Sequence, residues 1–330
     1  MKKRLIAALL SLCMLLGMAP LSALAAQPVY VALGDSISTG YGLDTETAEK
    51  SFVEQIAEQQ DLSMTMLAAD GETTASLLEK LTDADGAVAE ALETADVVTL
   101  TIGGNDFMNA LYEYMAEAYN TANSTSFTAE QFKEALEGKN AELEQSEALT
   151  FVTQNISGFA LGAGTLLTQF ETALNKIASG IRRHTNAPVV VATQYNPYRF
   201  AADEVSGEPA TAAQAIADAF DTMLALMNAK IKALEAQEGF FTADVFSAFG
   251  GAQQNPCNAS FLSSNLDFHP NARGHKLMAQ TVGEVVKSAL SGSTVGSTDI
   301  TVGGVTLSYV DAPVYASTDE DGKVTSLGEK

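Results

Sequence analysis

Residues 30–39 read Tyr-Val-Ala-Leu-Gly-Asp-Ser-Ile-Ser-Thr, and this stretch decides the fold. The apolar run Val29–Leu33 has the pattern of a buried strand, and Gly34-Asp35 breaks it. Ser36 then stands where a strand turns into a helix. In an α/β sheet that junction lies at the carboxyl edge, where the hydroxyl is exposed and the helix start offers free N–H groups and positive potential. Those surroundings suit a nucleophile whose attack creates an oxyanion. The same tripeptide also serves as an ordinary turn, so the rest of the chain has to decide.

Working outward, the pattern alternates between strands and helices. Ser51–Gln60 is helical, Ser63–Ala68 a short strand, Thr73–Leu81 a helix, and Val97–Ile102 the most strand-like run of all. A region rich in Ala, Glu and Gln, Phe107–His184, reads as several helices, with Thr128 and Gln131 spaced as a capping box. Val189–Thr193 and Phe240–Val245 are further strands, with a helix over Thr211–Glu238 between them and a last helix from about Asn271 to Leu290. Short continuous apolar strands alternating with helices predict a parallel sheet covered on both faces. The helical region after the third strand exceeds one crossover helix, and reads as a cap over the site or as extra packing helices.

Both ends of the 330-residue chain differ from its middle. Lys2, Lys3 and Arg4, the apolar Leu5–Met18 and the small residues Ala23-Leu24-Ala25 form an export signal, cleaved after Ala25 or Ala26. Pro20 interrupts the apolar run short of the ~20 residues a membrane span needs. The expected organisation is a signal over 1–26, a catalytic domain over 27–290 and a Ser/Gly/Thr-rich extension over 291–330. Within the extension, Asp299–Val302 and Val305–Tyr309 flank Gly303-Gly304 as a β-hairpin would.

Removing the signal takes three positive charges from a net −23, leaving −26. So acidic a surface argues against binding nucleic acid or anionic lipid headgroups through a general basic patch. Of two cysteines, Cys13 leaves with the signal and Cys257 has no partner, so no intramolecular disulfide forms. Cys257 reads as a small packing residue. Asp83, Asp85, Asp319 and Asp321 do not space like a calcium loop and read as solvated.

Three further islands sit at strand ends, where ligands bind in such sheets. Gly71 follows the second strand, and its backbone N–H could approach a substrate oxygen with no Cβ in the way. Gly103-Gly104-Asn105-Asp106 follows the third, and the Asn105 amide is a neutral donor suited to an oxyanion. Asp267-Phe268-His269-Pro270-Asn271 precedes the last helix, where a histidine is well placed as a general base. Of the three histidines, His184 sits beside Arg182 and Arg183 near a helix end and His275 lies within the last helix; both read as surface positions.

Together, and in this order, Gly34-Asp35-Ser36, Gly71, Gly103-Gly104-Asn105-Asp106 and Asp267-Phe268-His269-Pro270 resemble the four blocks of the SGNH (GDSL) hydrolases. The resemblance spans most of the chain. It implies a flavodoxin-like three-layer α/β/α sandwich with a five-stranded parallel sheet, and ester hydrolysis through a serine acyl-enzyme without cofactor or metal. By the same resemblance Ser36 is the nucleophile and His269 the base, and the N–H groups of Ser36 and Gly71 with the Asn105 side chain form the oxyanion hole. One departure stands out. The family's aspartate lies three residues before the histidine; here Leu266 holds that position and Asp267 lies two before. Asp267 is the expected partner of His269, with a backbone carbonyl as the alternative.

Asp35 and Asp106 read as turn and support residues, Asn196-Pro197-Tyr198 as pocket rim, and Tyr41 and Phe107 as pocket lining or packing. The Gly-x-Ser-x-Gly elbow, the Walker loop and the His-Glu-x-x-His zinc motif are absent. The sequence thus predicts a secreted, monomeric lipase or esterase acting on a small-molecule, lipid or acylated-carbohydrate ester. A carbohydrate O-deacetylase and a non-catalytic extracellular binding protein of the same fold are the alternatives. The lack of tryptophan tilts the substrate away from sugars.

Overall fold

The computed structural model describes residues 27–291, apart from 45 and 47, and the backbone of four short strands between 298 and 328. The expected export signal lies outside the described residues. Five strands, β1 (Val29–Gly34), β2 (Ser63–Met66), β3 (Val97–Thr101), β4 (Val189–Ala192) and β5 (Phe240–Ala243), form one sheet in the order β2-β1-β3-β4-β5. Every pairing is parallel. This is the flavodoxin-like order, in which the chain reverses direction across the sheet between β1 and β3. Ligands bind at that reversal, outside the carboxyl ends of the strands.

Between the strands run α1 (Ser36–Thr39), α2 (Phe52–Gln60), α3 (Thr74–Thr82), α4 (Ala87–Glu93), α5 (Gly104–Asn123), α6 (Ala129–Leu136), α7 (Gln145–Gly162), α8 (Gly164–Arg182), α9 (Arg199–Asp203), α10 (Glu208–Lys232), α11 (Val245–Gly250) and α12 (Ala272–Leu290). Capping boxes open three of them. Ser51 with Glu54 starts α2, Thr73 with Ser76 starts α3, and Thr128 with Gln131 starts α6. Each satisfies N–H groups that a helix start leaves unpaired.

The central strands are mostly apolar and almost wholly buried, so each supplies both faces of the sheet. Val31, Leu33, Val98, Leu100, Val189 and Val191 point into the larger core. Tyr30, Ala32, Val97, Val190 and Ala192 point into the other, where Phe52 and Ile56 of α2 meet Met278 and Val282 of α12. Three layers result. Three boundaries depart clearly from the pattern: the second strand ends at Met66, the helix predicted over 211–238 runs from Glu208 to Lys232 before a 3₁₀ turn at Ala233–Ala236, and the strand predicted over 240–245 ends at Ala243 because Asp244 caps the helix that starts at Val245.

The region after β3 serves both expected roles. Phe132, Ile156 and Phe159 join the large core, while Lys133, Leu136, Leu149 and Val152 line a cleft. In the extension, β6 (Thr298–Val302) pairs antiparallel with β7 (Val305–Tyr309), and the two glycines between them fall outside the described residues. A second pair, β8 (Tyr315–Thr318) with β9 (Val324–Gly328), had no clear sequence signal.

Candidate active site

Ser36 enters the site on a turn that tolerates only glycine two residues before it. Gly34 has φ +135°, and a Cβ there would lie 2.4 Å from the Thr101 carbonyl oxygen. Asp35 then caps α1, its Oδ1 accepting from the Ile37 N–H at 3.1 Å. Thr101, at the end of β3, donates to the same oxygen at 2.8 Å, and its hydroxyl lies 2.9 Å from Ser38 Oγ. Thr101 thus ties the serine turn to the neighbouring strand. Burial pushes the Asp35 carboxyl up to about 6 against these hydrogen bonds. Asp35 is a support residue, as its place in the turn suggests.

His269 arrives from the opposite end of the chain. Its Nε2 lies 2.9 Å from Ser36 Oγ, and its Nδ1 lies 2.6 Å from Asp267 Oδ1. The structure therefore brings Asp267, not a backbone carbonyl, to the imidazole. The same Oδ1 accepts the backbone N–H of His269 at 3.1 Å. That contact is an Asx turn, in which an aspartate side chain binds the N–H two residues on. It aims the carboxylate at its own neighbour's ring, which makes a spacing of two workable. Burial works against the Asp267 charge, but hydrogen bonds from His269 and Asn258 outweigh it and hold the carboxyl below the ordinary aspartate range.

Sequence reasoning placed Tyr198 at the pocket rim and Asn271 beside the histidine, but missed Tyr195 and Asn258 and the way all four fix this loop. Tyr195 donates to the Phe268 carbonyl and Tyr198 to that of Leu266, each at 3.0 Å, so the backbone is clamped on both sides of Asp267. Asn258 donates to Asp267 Oδ2 at 3.0 Å. Asn271, the cap of α12, also binds the carbonyls of Asn255 and Cys257 at 3.0 and 2.9 Å.

Ser36, Gly71 and Asn105 line the same cleft. Gly71 has φ +76°, and a Cβ would meet nothing within 4 Å. The glycine is thus required by the left-handed backbone rather than by crowding from the protein. Asn105 lies in the first turn of α5 and donates one N–H to the Glu72 carbonyl at 2.9 Å, which leaves its second N–H available. Asp106 braces the far side, accepting from the Thr74 hydroxyl at 2.6 Å and the Thr74 N–H at 3.0 Å.

The cleft has a volume of about 500 Å³. Beyond the polar groups it is lined by Met108, Leu149, Val152, Ile216, Phe220 and Phe268. Tyr41, 53% exposed, lines it with its ring 4.7 Å from that of His269. Phe107 packs in the core, edge-on to Phe159 and Phe220, and also lines a small pocket beside Ser36 and Asn105. Tyr198 lines the cleft wall, while Asn196 turns inward to the Ala217 carbonyl.

The remaining nucleophilic and basic groups lie apart from this line. Cys257 is buried, which pushes its thiol well up, as a packing residue allows. His275 is not at the surface: it is fully buried, and its Nδ1 accepts the N–H of Phe52 at the start of α2, at 3.2 Å. Burial lowers its ring to about 4, assisted by repulsion from His269. His184 is half-buried against the Leu81 carbonyl rather than solvated.

A hydroxyl, an imidazole and a carboxylate in one line at the reversal of a β2-β1-β3-β4-β5 sheet define a hydrolase architecture. The chain belongs to the GDSL-like lipase/acylhydrolase family, whose sequence profile matches residues 32–277. It is 25% identical over 267 residues to YpmR, an uncharacterised protein of Bacillus subtilis (strain 168), a match covering 78% of this chain and 81% of that one. Among solved structures it resembles the extracellular lipase of Streptomyces rimosus, with a TM-score of 0.50 and 23% identity over 81% of this chain and all of that one. For phospholipase A1 of Streptomyces albidoflavus NA297 the TM-score is 0.48, with 20% identity over 82% of this chain and all of the other.

Proposed function

We propose that this protein is an exported ester hydrolase that works through a Ser36 acyl-enzyme. The observation that carries the reading is the unbroken line from Ser36 Oγ to His269 Nε2 at 2.9 Å and from His269 Nδ1 to Asp267 Oδ1 at 2.6 Å. Ser36 Oγ attacks the ester carbonyl carbon while its proton passes to His269 Nε2. Asp267 holds the ring in orientation and stabilises the imidazolium. The N–H groups of Ser36 and Gly71 and the Asn105 amide receive the oxyanion. The tetrahedral species collapses, and the alcohol leaves with the proton from His269. Water, deprotonated by the same nitrogen, then releases the acid and regenerates Ser36.

The apolar lining of the cleft supports an acyl group longer than acetyl, and so favours a lipid or small acyl ester over an acetylated sugar. The pattern of the first 26 residues supports export, and the composition beyond residue 291 supports an extension separate from the catalytic domain. Among the described residues, no helix is long and apolar enough to cross a membrane. We take the enzyme to act as a monomer.

The test is hydrolysis of p-nitrophenyl esters of increasing acyl length by the mature protein and by Ser36→Ala. Turnover by the parent and a loss of about 10³-fold or more in the variant are expected. An optimum at acetate would favour a deacetylase, and an unimpaired Ser36→Ala would sink the acyl-enzyme. N-terminal sequencing of protein recovered from the medium should find Ala26 or Gln27; an intact Met1 would overturn export with cleavage.

A further inference from the structure

A carboxylate two residues before the imidazole uses one oxygen on its neighbour and leaves the other to be satisfied elsewhere. Asp267 Oδ1 takes both the ring and the backbone N–H of His269. Oδ2 takes the side-chain N–H of Asn258 at 3.0 Å. Asn258 is itself pinned at both ends of its backbone. Its N–H donates to the His269 carbonyl at 2.9 Å, and its own carbonyl accepts Asn265 Nδ2 at 2.9 Å. One residue therefore grips both members of the pair, Asp267 through its side chain and His269 through its main chain. Gly42, with φ +85°, closes the other side: a Cβ there would lie 3.4 Å from Asn258 Nδ2 and 3.8 Å from Asp267 Oδ2.

We infer that Asn258 is a positioning residue, whose amide sets the rotation of the Asp267 carboxylate so that one oxygen faces His269 Nδ1. The inference rests on His269 being the general base. Asn258 does what a neutral donor alone can do. A cationic side chain at Oδ2 would compete with the imidazolium for the carboxylate, whereas an amide fixes geometry and leaves the charge to the ring. The ionisable groups around the ring and its partner include Asp267 on its own loop, Asp35 beside Ser36, His275 in the first turn of α12, Tyr41 across the cleft, and the buried Tyr195 and Cys257 on the Asp267 side. Asn258 adds no charge to this set, so its replacements separate geometry from electrostatics.

Two variants form the test, each checked for folding by thermal melting. Asn258→Ala removes the donor without changing charge. It should lower kcat on a p-nitrophenyl ester by about 10–100-fold with KM unchanged, the range typical of groups that orient a functional side chain. Asn258→Asp is nearly isosteric and adds a negative charge beside the pair. It should move the acid limb of the kcat/KM profile to higher pH, because a nearby anion favours the imidazolium. A readout independent of turnover is the proton spectrum of the His269 Nδ1–H, assigned by its loss in His269→Gln. This resonance should shift upfield or disappear by exchange in Asn258→Ala. Folded Asn258→Ala with the parent's kcat and resonance, or folded Asn258→Asp with an unmoved acid limb, would overturn the assignment. A Ser36→Ala variant that keeps its turnover would instead remove the acyl-enzyme reading, while the Nδ1–H resonance would still judge Asn258.

Discussion

Thr101 Oγ1 donates to Asp35 Oδ1 at 2.8 Å across the β1–β3 seam, joining the turn that carries Ser36 to the strand beside it. The donor is buried, and so is the carboxylate it serves. Thr101→Val keeps the shape and removes the hydroxyl. It should cost roughly 2 kcal/mol, as expected for losing a hydrogen bond to a charged buried group. Because Asp35 is raised to about 6, the loss should be larger at pH 8, where the carboxylate is charged, than at pH 5. Urea denaturation at the two pH values checks both the size and the direction.

Asp267→Asn preserves the side-chain outline but replaces the anion by an amide. His269 then loses the partner that stabilises its charged form and fixes its tautomer. A fall in kcat of about 10⁴-fold is expected, by analogy with the same change in a Ser-His-Asp protease. Steady-state kinetics on a p-nitrophenyl ester measure it, with the melting temperature reporting that the fold is retained.

Asn105→Ala removes one donor facing the cleft. A drop of about 10²–10³-fold in kcat with a small change in KM is expected, since an oxyanion donor acts on the transition state more than on the bound ester. An equal effect on both parameters would point to ground-state binding instead.

His275 gives the protein an acid sensitivity that Asp35 opposes. The folded ring sits at about 4, below its ordinary 6.5, so its contribution is present above 6.5 and is lost as pH falls through 4. Asp35 is raised from 3.8 to about 6, so its contribution is present below 3.8 and is lost as pH rises through 6. The two slopes oppose each other between about 4 and 6. His275→Asn, whose Oδ1 can take the Phe52 N–H in place of Nδ1, removes only the first. Relative to the parent, the variant should gain up to roughly 3 kcal/mol as pH falls from 6.5 to 4. Urea midpoints across that range provide the comparison.

What could be read from the sequence was local. Strands β1, β3, β4 and β5 announce themselves as short apolar runs, and the Thr128–Gln131 box is legible because its two members are three residues apart. The residues that meet in the cleft were legible as islands at strand ends. Groups that act across the fold left no such signal: Thr101 reaches Asp35 over a separation of 66 residues, and Tyr195 reaches Phe268 over 73. His275 is a different kind of miss. It lies three and four residues before Met278 and Ala279, in line with Val282 and Val286, all buried on the stripe that α12 turns toward the core. Helical periodicity alone places it inside. Asp267 fell between these cases, since a spacing of two becomes useful only once the Asx turn is formed.

The 2.9 Å contact between Ser36 and His269 joins residues 233 apart in the chain, so it can form only once both ends of the domain are made. The strand that leads to the serine is made first, and the helix that follows the histidine is the last helix among the described residues. Closing so long a loop is slow compared with local helix formation. On refolding, activity should therefore lag behind the recovery of helical signal, and a chain halted before residue 269 lacks the imidazole that meets Ser36.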